Sequence, residues 1–222
     1  RSFGAPPRDI WTRKKDWRMP GRLFLTPPVA EIATILGANE WPPDEPARHN
    51  IAPGQEVLVF QGGALAGMRW GMIPVGRVNA RGRPVMETII NARSETVFDK
   101  SAFDGVGRAV GPADGWYEWT GQARRKQPWR LRAADGSVLF FAAITDGWEA
   151  PGGRMLPQVA TVTCEPNEDV RPIHHRMGVL LKAGQVPRWL NGTAAEAREL
   201  MVPLPDGLLS EEQADDVDWS AG

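Results

Sequence analysis

Hydrophobic positions fall along the chain in short apolar runs divided by glycine, proline or charged turns, the pattern of strands that return on one another. GRLFLT, from Gly21, predicts a first strand. The PPVAEIATILGA that follows sets Val29, Ile32, Ala33, Ile35 and Leu36 at helical spacing between an opening proline and a closing glycine, which predicts a short helix. Beyond the proline-rich WPPDEP, the runs EVLVF, MRWGMI, RAVGPADGWYEW, WRLRA, VLFFAAI and QVATVTC predict a mostly β domain. GTAAEARELM predicts a late helix with a threonine near its cap, and the acidic run over residues 211–218 reads as a solvated edge. Residues 1–18 carry six basic side chains against two acidic ones without apolar periodicity. They read as a flexible basic leader or as a start assigned upstream of Met19. No apolar run is long enough to cross a bilayer.

Composition narrows the class. With 222 residues, 42% hydrophobic and 24% charged, the chain can bury one sizeable core, so residues 19–222 are expected to form one domain. A single cysteine excludes an internal disulfide and a multi-cysteine zinc site, and three histidines offer little to a histidine-rich metal site. No cofactor or metal is expected, and a reducing, cytoplasmic setting and a monomeric state match that picture. Charge changes it more. The 26 Lys and Arg against 27 Asp and Glu leave a net charge of -1, which excludes a uniformly basic nucleic-acid coat. The total hides an uneven spread: residues 61–132 hold twelve basic side chains against six acidic, and residues 193–222 hold one against eight. Trp70, Trp116, Trp119 and Trp129, four of the ten tryptophans, lie in the basic stretch. Cations beside flat rings suit a single-stranded nucleic acid, the charges for phosphate and the rings for bases. Solvated strand faces over packed tryptophans would produce the same pattern.

Four segments carry polar residues that a plain β scaffold does not require. IINARSETVF alternates Asn91, Arg93 and Glu95, so a strand there would turn all three to one face. ADGWYEW sets Glu118 between Tyr117 and Trp119, and a glutamate flanked by rings is partly desolvated, which raises its pKa toward a general acid's range. PIHHRM offers His174 and His175 beside Arg176, and RHNIAPGQ puts His49 and Asn50 before a turn. Taken singly, each also fits an exposed strand face, a surface glutamate or a core histidine bonded to backbone.

In order along the chain, NIAPGQ, RWGMIP, NARSETV, PADGWYEW, KQPW, FAAITDGW and IHHRM resemble the motifs of the SRAP family (SOS response-associated peptidase), the abasic-site processing proteins of bacteria and eukaryotes. The resemblance runs from about Gly21 to the end of the chain. It implies an α+β domain, β-rich, with twisted, barrel-like antiparallel sheets and a few short helices. It further implies a partner, single-stranded DNA containing abasic sites, and a covalent protein-DNA linkage in the DNA damage response. In the family the cysteine after the initiator methionine becomes the amino terminus, and its amine and thiol close a thiazolidine on the sugar aldehyde. Carried over by motif, Asn91 orients the sugar or nucleophile, and Glu118 and His174 are the acid/base pair. Arg22 and Arg93 hold phosphates. Trp70, Met72 and Pro74 form a wedge that splays the strand, and Thr163 is a further polar site position.

The chain departs from the family at the nucleophile. The family's Met-Cys-Gly-Arg reads here as Met19, Pro20, Gly21, Arg22, and the lone Cys164 lies on an expected strand as a small buried thiol. The thiazolidine therefore cannot form by the family's route. In a protein starting at Met19, methionine removal leaves Pro20 as a secondary amine, which condenses with an aldehyde to an iminium and favours strand scission, a lyase reaction. A non-catalytic module that binds and shields damaged single strands is the alternative. For the peptidase activity in the family's name, the sequence offers no identifiable nucleophile.

Overall fold

Backbone pairing organises the chain into two twisted sheets, one open and one closed. The structure is a computed structural model that describes residues 21–73, 88–99, 105–122, 125–150 and 152–220. The basic leader, Pro20 and Pro74 lie outside the described residues. In chain order the elements are β1 (Arg22–Leu25), α1 (Val29–Leu36), β2 (Arg48–Ile51), β3 (Glu56–Gln61), β4 (Ala64–Trp70), β5 (Asn91–Arg93), β6 (Gly107–Ala113) and β7 (Gly115–Gln122). There follow β8 (Arg125–Ala133), β9 (Leu139–Ala150), β10 (Arg154–Cys164), β11 (Met177–Gly178), β12 (Leu180–Leu181), α2 (Val186–Asn191), α3 (Ala194–Leu200) and β13 (Leu209–Gln213).

The open sheet is antiparallel, in the order β13-β8-β7-β1-β2. In the other, β10 pairs with both β4 and β9 while β4, β3, β6 and β9 pair in turn, so five strands close into a small barrel. The β10–β4 and β10–β5 pairings are parallel, where the sequence implied antiparallel sheets. β5 and β11 extend the barrel along β10, and β12 extends it along β9.

The single run RAVGPADGWYEW becomes two strands, because the chain leaves the barrel and enters the open sheet at Asp114. That residue accepts the Thr26 amide (2.9 Å) and hydroxyl (2.5 Å) on its carboxylate and donates its own amide to the Phe24 carbonyl. The two sheets pack through Trp116 of β7, whose ring meets Phe141 of β9 edge-on at 5.7 Å. Both expected helices form. α1 ends at Gly37, whose φ of 65° is the left-handed closure that glycine adopts freely. α3 begins with a reciprocal cap between Thr193 and Glu196.

Three expectations need correction. The acidic run is not a solvated edge throughout: β13 pairs with β8, and Glu212 and Asp216 both reach Arg130 at 2.9 Å. Trp70 and Trp116 have no exposed surface and Met72 has 2%, so these side chains fill the core and offer no platform or wedge to a strand. Third, β5 stops at Arg93 and the chain turns, so Glu95 does not continue the face of Asn91 and Arg93.

Candidate functional site

Beside the start of β1, β7 carries a buried carboxyl. Along β7 the side chains alternate: Trp116 joins the main core, while Tyr117 and Trp119 pack on the opposite face with Phe24, Ala214 and Trp219. Glu118 therefore turns inward and is 3% exposed. Burial pushes its carboxyl well above the ordinary carboxylate range, and one hydrogen bond, from the Gly21 amide to Oε1 at 3.0 Å, pulls weakly the other way. The sequence anticipated a desolvated carboxyl, but not by the right cause, since strand alternation sends the flanking rings of Tyr117 and Trp119 to the far side of the sheet. A neutral carboxyl held this way accepts on one oxygen and can donate from the other. Gly21 has no room for a side chain: a Cβ there would lie 2.6 Å from the Trp119 ring.

On the outer face, Arg22 pairs in register with Tyr117 and donates from Nη1 to Asn50 Oδ1 at 2.7 Å. Asn50, itself buried, donates from Nδ2 to the Asp218 carbonyl at 2.8 Å. Tyr117 donates its hydroxyl to the His49 carbonyl at 2.9 Å, and Trp219 packs edge-on against the Tyr117 ring at 5.0 Å. The segment RHNIAPGQ thus meets the first strand and the last described residues.

A second group lies along β10. Thr161 and Thr163 stand in register with Asn91 and Arg93. The Thr161 hydroxyl donates to Asn91 Oδ1 at 2.5 Å, which fixes the amide so that Nδ2 is its free donor. That Nδ2 is buried and has no acceptor among the described residues. Arg93 is exposed. Arg176 makes a two-point contact with Glu95 (2.5 and 2.9 Å) and donates to the Thr163 carbonyl at 2.6 Å, drawing the turn after β5 onto the end of β10. The guanidinium holds the Glu95 carboxyl below its usual range. His174 Nδ1 lies 3.1 Å from the Arg176 backbone amide and 3.3 Å from the Arg176 carbonyl, so the backbone of Arg176 anchors this ring nitrogen in either tautomer. His174 stacks on His175 with ring centroids 4.3 Å apart.

The structure therefore gathers Asn91, Arg93, Thr163 and His174 around the end of β10, and Glu118 and Arg22 around the start of β1. Leu23 of β1 and Thr161 of β10 line a common, mostly apolar cavity with Trp70, Phe141 and Val159. Trp70 contributes from within, its indole donating to the Ile90 carbonyl beside Asn91. Cys164 is 2% exposed and burial pushes its thiol up to about 12, which removes it as a nucleophile. Thr161 was missed by sequence reasoning, although it alternates with Thr163 in VATVTC and so had to share its face. Among the described residues no cluster of three or more His, Cys, Asp or Glu could hold a metal ion, and no helix is long and apolar enough to cross a membrane.

Comparison with known proteins gives this geometry a context. The sequence model described as SOS response associated peptidase (SRAP) matches residues 19–218. Abasic site processing protein YoaM of Bacillus subtilis (strain 168) is 33% identical over 151 residues, 64% of this chain and 65% of that protein. Abasic site processing protein YedK of Escherichia coli (strain K12) is 31% identical over 160 residues, 67% of this chain and 66% of that protein. The matches thus span just under two thirds of these curated relatives. A solved structure of a protein from Bacteroides thetaiotaomicron superposes with a TM-score of 0.76 at 19% identity, covering 88% of this chain and 92% of that one, a likeness of fold.

Proposed function

The chain belongs to the SOS response associated peptidase (SRAP) family, and from that membership we propose that it processes abasic sites in single-stranded DNA. The relatives named abasic site processing proteins support the substrate class. The single observation that carries a chemical role is the buried Glu118 carboxyl bonded to the Gly21 amide. The nitrogen of residue 20 is three covalent bonds from that amide, so a nucleophile there is held beside an acid that stays protonated above the ordinary range.

In a protein whose amino terminus is Pro20, the secondary amine adds to the aldehyde carbon of the opened sugar. Glu118 supplies a proton to the departing oxygen, which leaves as water, and an iminium remains. Loss of a proton from the adjacent sugar carbon then breaks the bond to the 3′ oxygen, the phosphate departs, and water hydrolyses the linkage to return the amine. Asn91 Nδ2, buried without an acceptor among the described residues, suits a sugar oxygen, and His174, anchored at Nδ1 by the Arg176 backbone, suits proton exchange with the ring oxygen. Arg22 and Arg93 hold phosphates, with Thr163 beside Arg93 in register.

Borohydride reduction of a mixture of abasic single-stranded DNA with the protein expressed from Met19, its methionine removed to leave Pro20 as the terminus, tests the reading. A trapped adduct and a cut strand are expected, and both vanish when the terminal amine is blocked. The second reading, a non-catalytic module that shields damaged strands, is favoured by the inert Cys164 thiol. Salt-sensitive binding with no trapped adduct would select it.

A further inference from the structure

The Arg22 guanidinium is held by a chain of contacts that begins at the far end of the sequence. Asn50 is 7% exposed and uses both ends of its amide: Oδ1 accepts from Arg22 Nη1 at 2.7 Å, and Nδ2 donates to the Asp218 carbonyl at 2.8 Å. The carbonyl is held in turn by its neighbours. Trp219 packs against Tyr117 at 5.0 Å and Trp119 at 5.1 Å, and Asp216 binds Arg130 at 2.9 Å, whose guanidinium lies 5.7 Å from the centre of the Tyr117 ring. Both ends of the Asn50 amide are thereby fixed in one orientation, and an arginine bonded to it has fewer rotamers to lose when it meets an anion. Every one of these contacts lies on the outer side of β1 and β7, opposite Glu118.

We propose that Asn50 is a positioning residue that sets the Arg22 guanidinium for a strand phosphate, and that residues 214–219 are part of the DNA site because they anchor Asn50. The proposal rests on the reading of Arg22 as a phosphate contact, and the test separates the two. Binding of the full chain to a labelled single-stranded oligonucleotide carrying a tetrahydrofuran abasic analogue, which has no aldehyde, is followed against salt. Each phosphate contact on a single strand adds about 0.7 to the slope of log K against log salt.

Arg22→Gln is expected to flatten the slope by about 0.7. Asn50→Asp should do the same, because the new carboxylate pairs with Arg22 and withdraws its charge from the strand. Asn50→Ala should keep the slope, since the charge survives, and weaken binding about 3- to 10-fold from lost positioning. Trp219→Ala should weaken binding similarly and add nothing to Asn50→Ala in the double variant. An Asn50→Asp slope equal to that of the unsubstituted chain, while Arg22→Gln flattens it, overturns the role of Asn50. Additive losses for Asn50 and Trp219 overturn the role of the C-terminal segment. A silent Arg22→Gln overturns the phosphate reading itself. A generally damaged fold would show in thermal melting and would not reproduce a selective change of slope.

Discussion

At Glu118 one side chain carries both a chemical role and a cost in stability. Burial lifts its pKa, so as pH rises past the ordinary carboxylate range the unfolded chain ionises first, and folding stability falls until pH passes the raised value. Glu118→Gln keeps an acceptor for the Gly21 amide and removes the titration. The variant is expected to be more stable than the parent at pH 7, with the difference shrinking toward zero near pH 4 in urea titrations. Its rate of adduct formation should fall about 100- to 10,000-fold, the usual worth of a general acid. At Thr161 the expected effect is finer. Thr161→Val keeps the shape and drops the hydroxyl that fixes the Asn91 amide. Strand affinity should stay near the parent value while adduct formation slows about 10-fold, and Thr161→Ser should restore it. Equal losses in affinity and rate would point to a packing defect instead.

Among the elements, β7 is where pairing converts a motif into a site. Its alternation gives Trp116 and Glu118 to the interior and Tyr117 and Trp119 to the face covered by Trp219. β1 is held against it with Arg22 opposite Tyr117, which leaves Gly21 at the Glu118 carboxyl and under the Trp119 ring. Gly21→Ala therefore drives a Cβ into that ring. We expect a loss of about 1–3 kcal/mol in stability, the range for overpacking. Displacement of Trp119 should also slow adduct formation beyond what the stability loss explains. Unchanged melting and unchanged adduct yield would show that the ring yields freely. At the end of β10, the Arg176 contacts to Glu95 and Thr163 give the His174 loop a fixed base, a role that the triplet HHR does not reveal by itself.

Across the whole molecule, the closed five-strand barrel and the open sheet share one core, and the residues of the proposed chemistry stand in two groups, at the start of β1 and at the end of β10. The sequence alone determined much of this. Apolar spacing is set by local backbone geometry, so the main strands, α1 and α3 could be read directly, and the ordered motifs gave the family and proposed Asn91, Glu118 and His174 as candidates. Tertiary structure decided what depends on partners distant in the chain. The Gly21 amide and Glu118 are 97 residues apart, and only the pairing of β1 with β7 fixes which face the carboxyl takes. Asp114 divides one apolar run into two strands because Thr26, 88 residues away, binds it there. The acidic C-terminal residues read as solvent-facing because charge pattern carries no address, whereas packing sends Glu212 and Asp216 to Arg130 and the Asp218 carbonyl to Asn50, 168 residues away. The sequence left Trp70 either a stacking ring beside basic residues or a packed one, and closing the barrel buries it completely. Periodicity says that a side chain alternates with its neighbours; only the surface it finally packs against says which side is inside.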